Sequence, residues 1–138
     1  MAAAVEVDYE KLLGFRVALR EFEHWSERQA RAAGLTPAQH QLLLSVRGSA
    51  DPLGPSIREI ADRLLLRHHS AVELIDRAAS AGWVSRRADR DDARVMRVGL
   101  TAKGARVLGK LTSAHLEELR RLEALLRPVI GDRDGAAV

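Results

Sequence analysis

The chain has 138 residues, 46% hydrophobic and 30% charged, with a formal net charge of +3 and no cysteine. That length suits one domain with its own core, and the missing cysteines exclude disulfides, cysteine-ligated zinc and thiol redox sensing. No apolar run approaches the ~20 residues of a membrane span, and residues 1–8 carry no basic region ahead of an apolar segment, so neither a membrane partner nor a secretory signal is expected and a cytoplasmic location follows.

Residues 8–33 read as a long amphipathic helix. Asp8 is a candidate N-cap with Glu10 in the first turn, and Leu12, Phe15, Leu19, Phe22 and Trp25 recur every three or four residues. Gly34 ends it. Four of the five aromatic residues lie here (Tyr9, Phe15, Phe22, Trp25), so the apolar face needs a covering surface. A second helix opens at Thr36-Pro37-Ala38-Gln39, a capping box with proline at the first helical position. It passes through Leu42, Leu43, Leu44 and Val46 to Arg47 and stops at Gly48. Residues 49–55 form a loop dense in turn residues. Ser56-Ile57-Arg58-Glu59 reads as another capping box, opening a short third helix with Ile57, Ile60, Ala61 and Leu64 inward and its end near Leu65. After a brief connection a fourth helix covers His69 to Ala81, capped by Gly82.

The pattern then changes period. Met96, Val98 and Leu100 alternate with Arg97 and Gly99, as in a half-buried strand. Trp83–Arg86 supplies a second strand, pairing with Val95–Leu100. A lone hairpin is marginal in water and must pack on helices. Its tip interleaves Arg86, Arg87, Arg90 and Arg94 with Asp89, Asp91 and Asp92. From Trp83 to Lys103 six basic residues face three acidic ones, a net +3 that equals the charge of the whole chain. All but three of the 22 basic residues are Arg, the residue suited to bidentate phosphate or guanine contacts. GC-rich coding explains that preference equally well, but not the clustering. Thr101 caps a last helix in which Leu108, Leu111, His115, Leu119, Leu122 and Leu126 step by threes and fours, with Leu116 and Leu125 alongside. Gly104 and Gly109 are expected to weaken its first turns. Pro128 ends or kinks it, and the residues from Gly131 read as a tail. A helix so long and apolar is expected to be an association surface, with the first helix as its partner.

Short helix, tight connection, second helix and hairpin is the order of a helix-turn-helix followed by a wing. The fourth helix fits a ~12 Å major groove, and the hairpin reaches the adjacent minor groove, where Arg is favoured. The residues Leu35-Thr36-Pro37-Ala38-Gln39 and Ile60-Ala61 accompany a longer pattern: Gly82-Trp83-Val84-x-Arg86-x-x-Asp89-x-x-Asp92-x-Arg94, five residues, then Leu100-Thr101-x-Lys103-Gly104. With these residues the chain resembles the MarR family of transcriptional regulators over residues 8–126.

The resemblance implies a mainly α fold with a small β-hairpin in a single domain, 1–138. Within it a winged helix-turn-helix at 36–101 is flanked by dimerisation helices at 8–33 and 102–127, with a tail at 128–138. It also implies a homodimer on pseudo-palindromic double-stranded DNA, a ligand-responsive repressor with a small-molecule effector. Three features depart from the family pattern. Only ten residues follow Pro128, where another helix is common; Glu73 and Asp76 place acid on the reading helix; and His40 stands where an aromatic residue is usual.

On the resemblance, Arg94 enters the minor groove and Asp92 holds its guanidinium; the alternative is a surface pair that only braces the hairpin. Arg86, Arg87 and Arg90 are expected at phosphates, where contacts position and do not specify, with Arg86 either structural or DNA-binding. Arg67, His68, His69, Ser70 and Arg77 surround the reading helix, Ser70 being alternatively a local cap. Glu73 either accepts from a cytosine amino group or lies outside the interface. Trp25, His40 and His115 are expected at an effector pocket or as hydrogen-bonded core. His24, His40 and His115 sit on three helices with no His-x-x-x-His pair, so neither a metal nor a cofactor is expected. Without a Gly-rich phosphate loop, Gly-x-Ser-x-Gly or His-Glu-x-x-His, an enzyme is not expected. The second reading is a winged-helix protein–protein interaction module with weak or lost DNA binding, which Glu73 and Asp76 favour.

Overall fold

In the computed structural model, which describes residues 6–131, the elements run α1 (Tyr9–Ala32), α2 (Pro37–Arg47), α3 (Ile57–Leu64), α4 (His68–Ser80), β1 (Val84–Ala88), β2 (Met96–Leu100) and α5 (Ala102–Ile130). The polar residues before each helix explain most of the starts. Asp8 Oδ1 accepts from the Lys11 N–H at 3.2 Å. Thr36 and Gln39 exchange both bonds of a capping box, at 3.1 and 3.0 Å. Thr101 Oγ1 accepts from Gly104 N–H at 3.0 Å while its own hydroxyl donates to Gly82 O at 2.6 Å. Each such cap contributes about 1 kcal/mol.

Two local expectations need correction. Ser56 Oγ accepts from Glu59 N–H at 3.1 Å, but the Glu59 carboxylate takes the Ser56 hydroxyl at 3.2 Å, so only half of a capping box forms. α4 begins at His68 behind Arg67, which makes no side-chain cap bond. Ser70 therefore lies inside the first turn and does not cap it. α3 ends at Leu65 as expected, on a left-handed cap (φ 55°, ψ 42°) without glycine.

α2 is the central helix, packing against α1, α3, α4, α5 and β2. Its Leu42 and Leu43 are fully buried, with Ile60, Ile75 and Val98 around them and Leu108 and Leu111 closing the cluster from α5. Complete burial of each such side chain stabilises by about 1.5–3 kcal/mol. α1 and α5 pack on each other but leave Leu13, Val17, Leu116, Leu119, Leu125 and Ile130 exposed.

The hairpin pairs Val84 with Leu100, Arg86 with Val98 and Ala88 with Met96. β1 starts one residue later than expected because the Trp83 N–H still closes the end of α4, donating to Ala78 O at 2.9 Å. It runs on through Arg87 and Ala88, whose exposed side chains gave no apolar alternation to read. The marginal ribbon is anchored to the α2–α3 loop by a bridge between Ser56 and Arg97 and by the Val98 N–H, which donates to Pro55 O at 3.0 Å.

Two glycines are fixed by close approach. A Cβ on Gly54 (φ +85°) would lie 2.1 Å from Val98 O, and one on Gly104 would lie 2.1 Å from Trp83 O. Gly104 is therefore the point where α5 meets the start of the hairpin, not a weak spot in a helix. α5 continues past Pro128 to Ile130, where Gly131 at φ +73° ends it. Proline so near the end removes only one interior hydrogen bond. Of the expected tail, residues 132–138 lie outside the described residues.

Candidate nucleic-acid interface

α4 buries Ala71, Ile75 and Ala78, spaced at four and three residues, against the core. That periodicity turns Glu73 and Arg77 outward, with Arg67, His68 and His69 exposed at the amino end. Ser70 is half-buried, and with Glu73 and Arg77 it borders a shallow groove against Thr36 and Gln39 at the start of α2. The outer face of α4 thus presents cationic and polar side chains at its amino end, with the hairpin following at its carboxyl end.

The antiparallel register sends Arg86 and Arg87 to opposite faces of the ribbon. Arg86 shares a face with Val84 and Val98 and forms an ion pair with Asp76 on α4. Asp76 is thus a brace between helix and wing, which accounts for one of the two acids on the reading helix. Arg87 lies over Gly99, its Nη2 3.0 Å from where a Cβ would be.

Arg97, in the sequence only one more basic residue of the ribbon, anchors the wing. Its Nε donates to Asp89 Oδ1 at 2.9 Å, and its Nη1 donates to Asp51 Oδ2 at 3.2 Å and Gly54 O at 3.1 Å. Asp89 uses Oδ2 to accept the N–H groups of Asp91 and Asp92, both at 3.1 Å. The Arg97 hydrogen bond, aided by the Asp91 N–H, holds the Asp89 carboxyl below its ordinary range, and Asp89 in turn raises Arg97. The signal for Arg97 was its place on the polar side of a strand. Nothing local revealed Asp51, which lies 46 residues away.

Beyond this anchor, Asp92 chelates Arg94. Arg94 Nε and Nη2 donate to the two carboxylate oxygens at 3.0 and 3.2 Å, and Arg94 N–H donates to Oδ1 at 3.0 Å. These bonds hold the Asp92 carboxyl below its ordinary range. The guanidinium is oriented, yet the Arg94 side chain is 90% exposed. Arg90 is exposed at the same tip.

Trp25, His40 and His115 do meet, as a packed ring cluster. The His115 ring centroid lies 4.7 Å from that of Trp25, 4.9 Å from His40 and 5.8 Å from Phe22. His115 Nδ1 lies 2.6 Å from Leu111 O and Nε2 lies 2.7 Å from Ser26 Oγ. A carbonyl only accepts, so Nδ1 carries the proton, and in the neutral ring Ser26 donates to Nε2. His115 is a satisfied core residue bordering neither neighbouring cleft. Trp25 borders a cleft of about 360 Å³ with Leu122 and Leu125. His40 alone of the three borders the cleft between α1 and α2. His24 is exposed on α1.

The MarR family model matches residues 33–95, which hold α2 to α4 and most of the hairpin. That segment is similar to the MarR family and spans just under half of the chain. Solved MarR-family structures extend the likeness beyond that segment. AbsC, a MarR-family transcriptional regulator from Streptomyces coelicolor, is 20% identical, with 90% of this chain and 85% of that one covered and a TM-score of 0.70. MepR of S. aureus, solved in complex with DNA, is 22% identical, with 88% and 87% covered and a TM-score of 0.71. YusO from Bacillus subtilis is 19% identical, with 86% and 82% covered and a TM-score of 0.67. At this identity the likeness is one of fold: a winged helix-turn-helix between long terminal helices. No curated protein sequence matches the chain. No helix among the described residues is long and apolar enough to cross a membrane.

Proposed function

We propose that this chain is a sequence-specific DNA-binding transcription regulator. It acts as a homodimer on a pseudo-palindromic operator, as a repressor whose affinity responds to a small molecule. The observation that carries the DNA reading is the Asp92–Arg94 chelate: a guanidinium oriented by its neighbour and left open at the wing tip. Arg94 enters the minor groove, where the potential is most negative. Arg67, His68, His69, Ser70 and Arg77 meet the major groove and its flanking phosphates, and Arg87 and Arg90 add phosphate contacts. Arg86, paired with Asp76, holds the wing against α4 and reaches DNA only secondarily.

The exposed leucines of α1 and α5 support the dimer. A second copy covers Leu13, Val17, Leu116, Leu119 and Leu125, making 8–33 and 102–127 the dimerisation helices around a winged helix-turn-helix at 36–101. Two-fold symmetry then sets the reading helices in successive major grooves, about 10 bp apart. An effector at the junction of α1 and α2 acts by shifting the population of that spacing.

The test is Arg94→Ala on an inverted repeat selected from DNA flanking the protein's own gene. Specific binding is expected to fall at least tenfold, the order of one or two lost groove contacts, with the circular dichroism spectrum unchanged. Equal operator affinity rejects the reading. The protein–protein alternative rests on Glu73 and Asp76, and the Arg86 pair removes Asp76 from that argument. No preference for any duplex over nonspecific DNA would restore it.

A further inference from the structure

The cleft between α1 and α2 has a volume of about 480 Å³ and opens to solvent, a size within the range of ordinary small-molecule sites. Glu23 and Glu27 stand one turn apart on its α1 wall, Phe22 beside them; Pro37, His40 and Gln41 line the α2 wall. The lining contains no lysine or arginine. Like charges four residues apart weaken a helix, and among the described residues neither carboxylate has an ion-pair partner. The cleft wall is therefore acidic, with both carboxylates exposed and free to meet a cation.

A second observation is independent of the acids. His40 is 5% exposed, and among the described residues neither of its ring nitrogens has a hydrogen bond. Its neighbour His115 has both satisfied. The His40 nitrogens are not among the fully enclosed unpartnered atoms, so this otherwise buried ring is reached from the cleft that it borders. Burial, with the adjoining His115, disfavours its charged form. A neutral ring offers one acceptor nitrogen and one N–H.

We infer that this cleft binds a protonated organic amine on an apolar or aromatic frame. The ammonium sits against Glu23 and Glu27 and donates one N–H to the acceptor nitrogen of His40; the frame lies on Phe22 and Pro37. The same carboxylates repel carboxylate and phenolate ligands, so the cleft discriminates by charge as well as by fit. Phe22 and His40 both contact the His115 ring, so an occupant touches the side chains that join α1, α2 and α5. The inference deepens the ligand-responsive reading and depends on it only for the effect on DNA, not for binding.

The test titrates the full chain with 2-phenylethylamine, an ammonium at pH 7, and with 3-phenylpropanoate, which replaces the ammonium by a carboxylate. Calorimetry and amide shifts report binding. Saturable binding of the amine is expected, with shifts confined to residues 22–27 and 38–41 and no binding of the carboxylate. A Glu23→Gln/Glu27→Gln double variant, both positions being exposed, is expected to fold normally and to bind the amine at least about tenfold more weakly, as removal of two attracting charges requires. Equal binding of the two probes, an unchanged affinity in the double variant, or no saturable amine binding overturns the inference. Operator affinity is measured separately. If the amine binds without altering it, the site stands and ligand-responsive regulation falls; if the carboxylate binds and releases DNA, the reverse holds.

Discussion

Arg97 donates through Nε to Asp89 Oδ1 at 2.9 Å, with the side chains 18% and 11% exposed. One bond thus joins two frames: Arg97 is tied to the α2–α3 loop through Asp51 and Gly54, and Asp89 is tied to the backbone of the wing tip. The position of Arg94 relative to the core runs through this contact.

Arg97→Ala or Asp89→Asn should therefore loosen the tip without unfolding the helices. Amide exchange at Asp91 and Asp92 should quicken, and operator affinity should fall about tenfold, the order of one mismatched contact at a DNA interface. Combined with Arg94→Ala, the losses should be less than additive, since both act on one contact. Full additivity would separate the two roles. The Asp89 carboxyl lies below its ordinary 3.8 because of the Arg97 bond. Its contribution is complete above that value and is lost as pH falls through the lower folded value.

Leu65 is a stabilisation target. It is 92% exposed at φ 55°, so it gains nothing from burial and carries the cost of a left-handed backbone. Leu65→Gly should raise stability by about 1 kcal/mol, read as a higher urea midpoint. A lower midpoint would mean that the leucine contributes a contact after all.

Gly54 is the opposite case. An alanine there meets Val98 O at 2.1 Å, backbone against backbone, at φ +85°. Gly54→Ala should cost more than about 2 kcal/mol and should displace the carbonyl that Arg97 uses. Thermal unfolding checks the first effect and wing amide exchange the second. A loss below that figure would show that the loop shifts freely.

His40 makes stability depend on pH in the mildly acidic range. Burial, and then the neighbouring His115, lower it from its ordinary 6.5. The unfolded chain takes up this proton near 6.5 and the folded chain only below it, so stability should fall as pH drops from 6.5 toward the folded value. Urea midpoints between pH 7.5 and 5 read the slope, and His40→Phe should flatten it. An unaltered slope in that variant would assign the dependence to another group.

Local relationships were legible in the sequence. The Thr36–Gln39 capping box and the Asp92–Arg94 pair involve partners two or three residues apart, within reach of one turn. The alternation of Met96, Val98 and Leu100 marked β2, and four helices lie within one or two residues of the bounds that caps and periodicity indicate. What stayed hidden depends on packing between distant segments. Asp76 read as an acid against DNA until Arg86, ten residues on, proved to be its partner. Arg86 and Arg87 looked equivalent, though pleating sends them to opposite faces. Gly104 read as a weak helical position because the Trp83 carbonyl it admits belongs to another element. His115 lies in an apolar stripe whose period shows burial but not the Ser26 hydroxyl that completes it.

The wing's internal pairing also changes what the duplex would meet. Among the five arginines from 86 to 97, Arg86 faces Asp76, Arg94 faces Asp92, and Arg97 faces Asp89 and Asp51. Only Arg87 and Arg90 have no carboxylate in ion-pair reach among the described residues. Displacement of condensed counterions from DNA scales with phosphates neutralised, about 0.9 per contact. Each wing should therefore release fewer ions than its arginine count implies, and binding should tolerate rising ionic strength better than so basic a ribbon suggests.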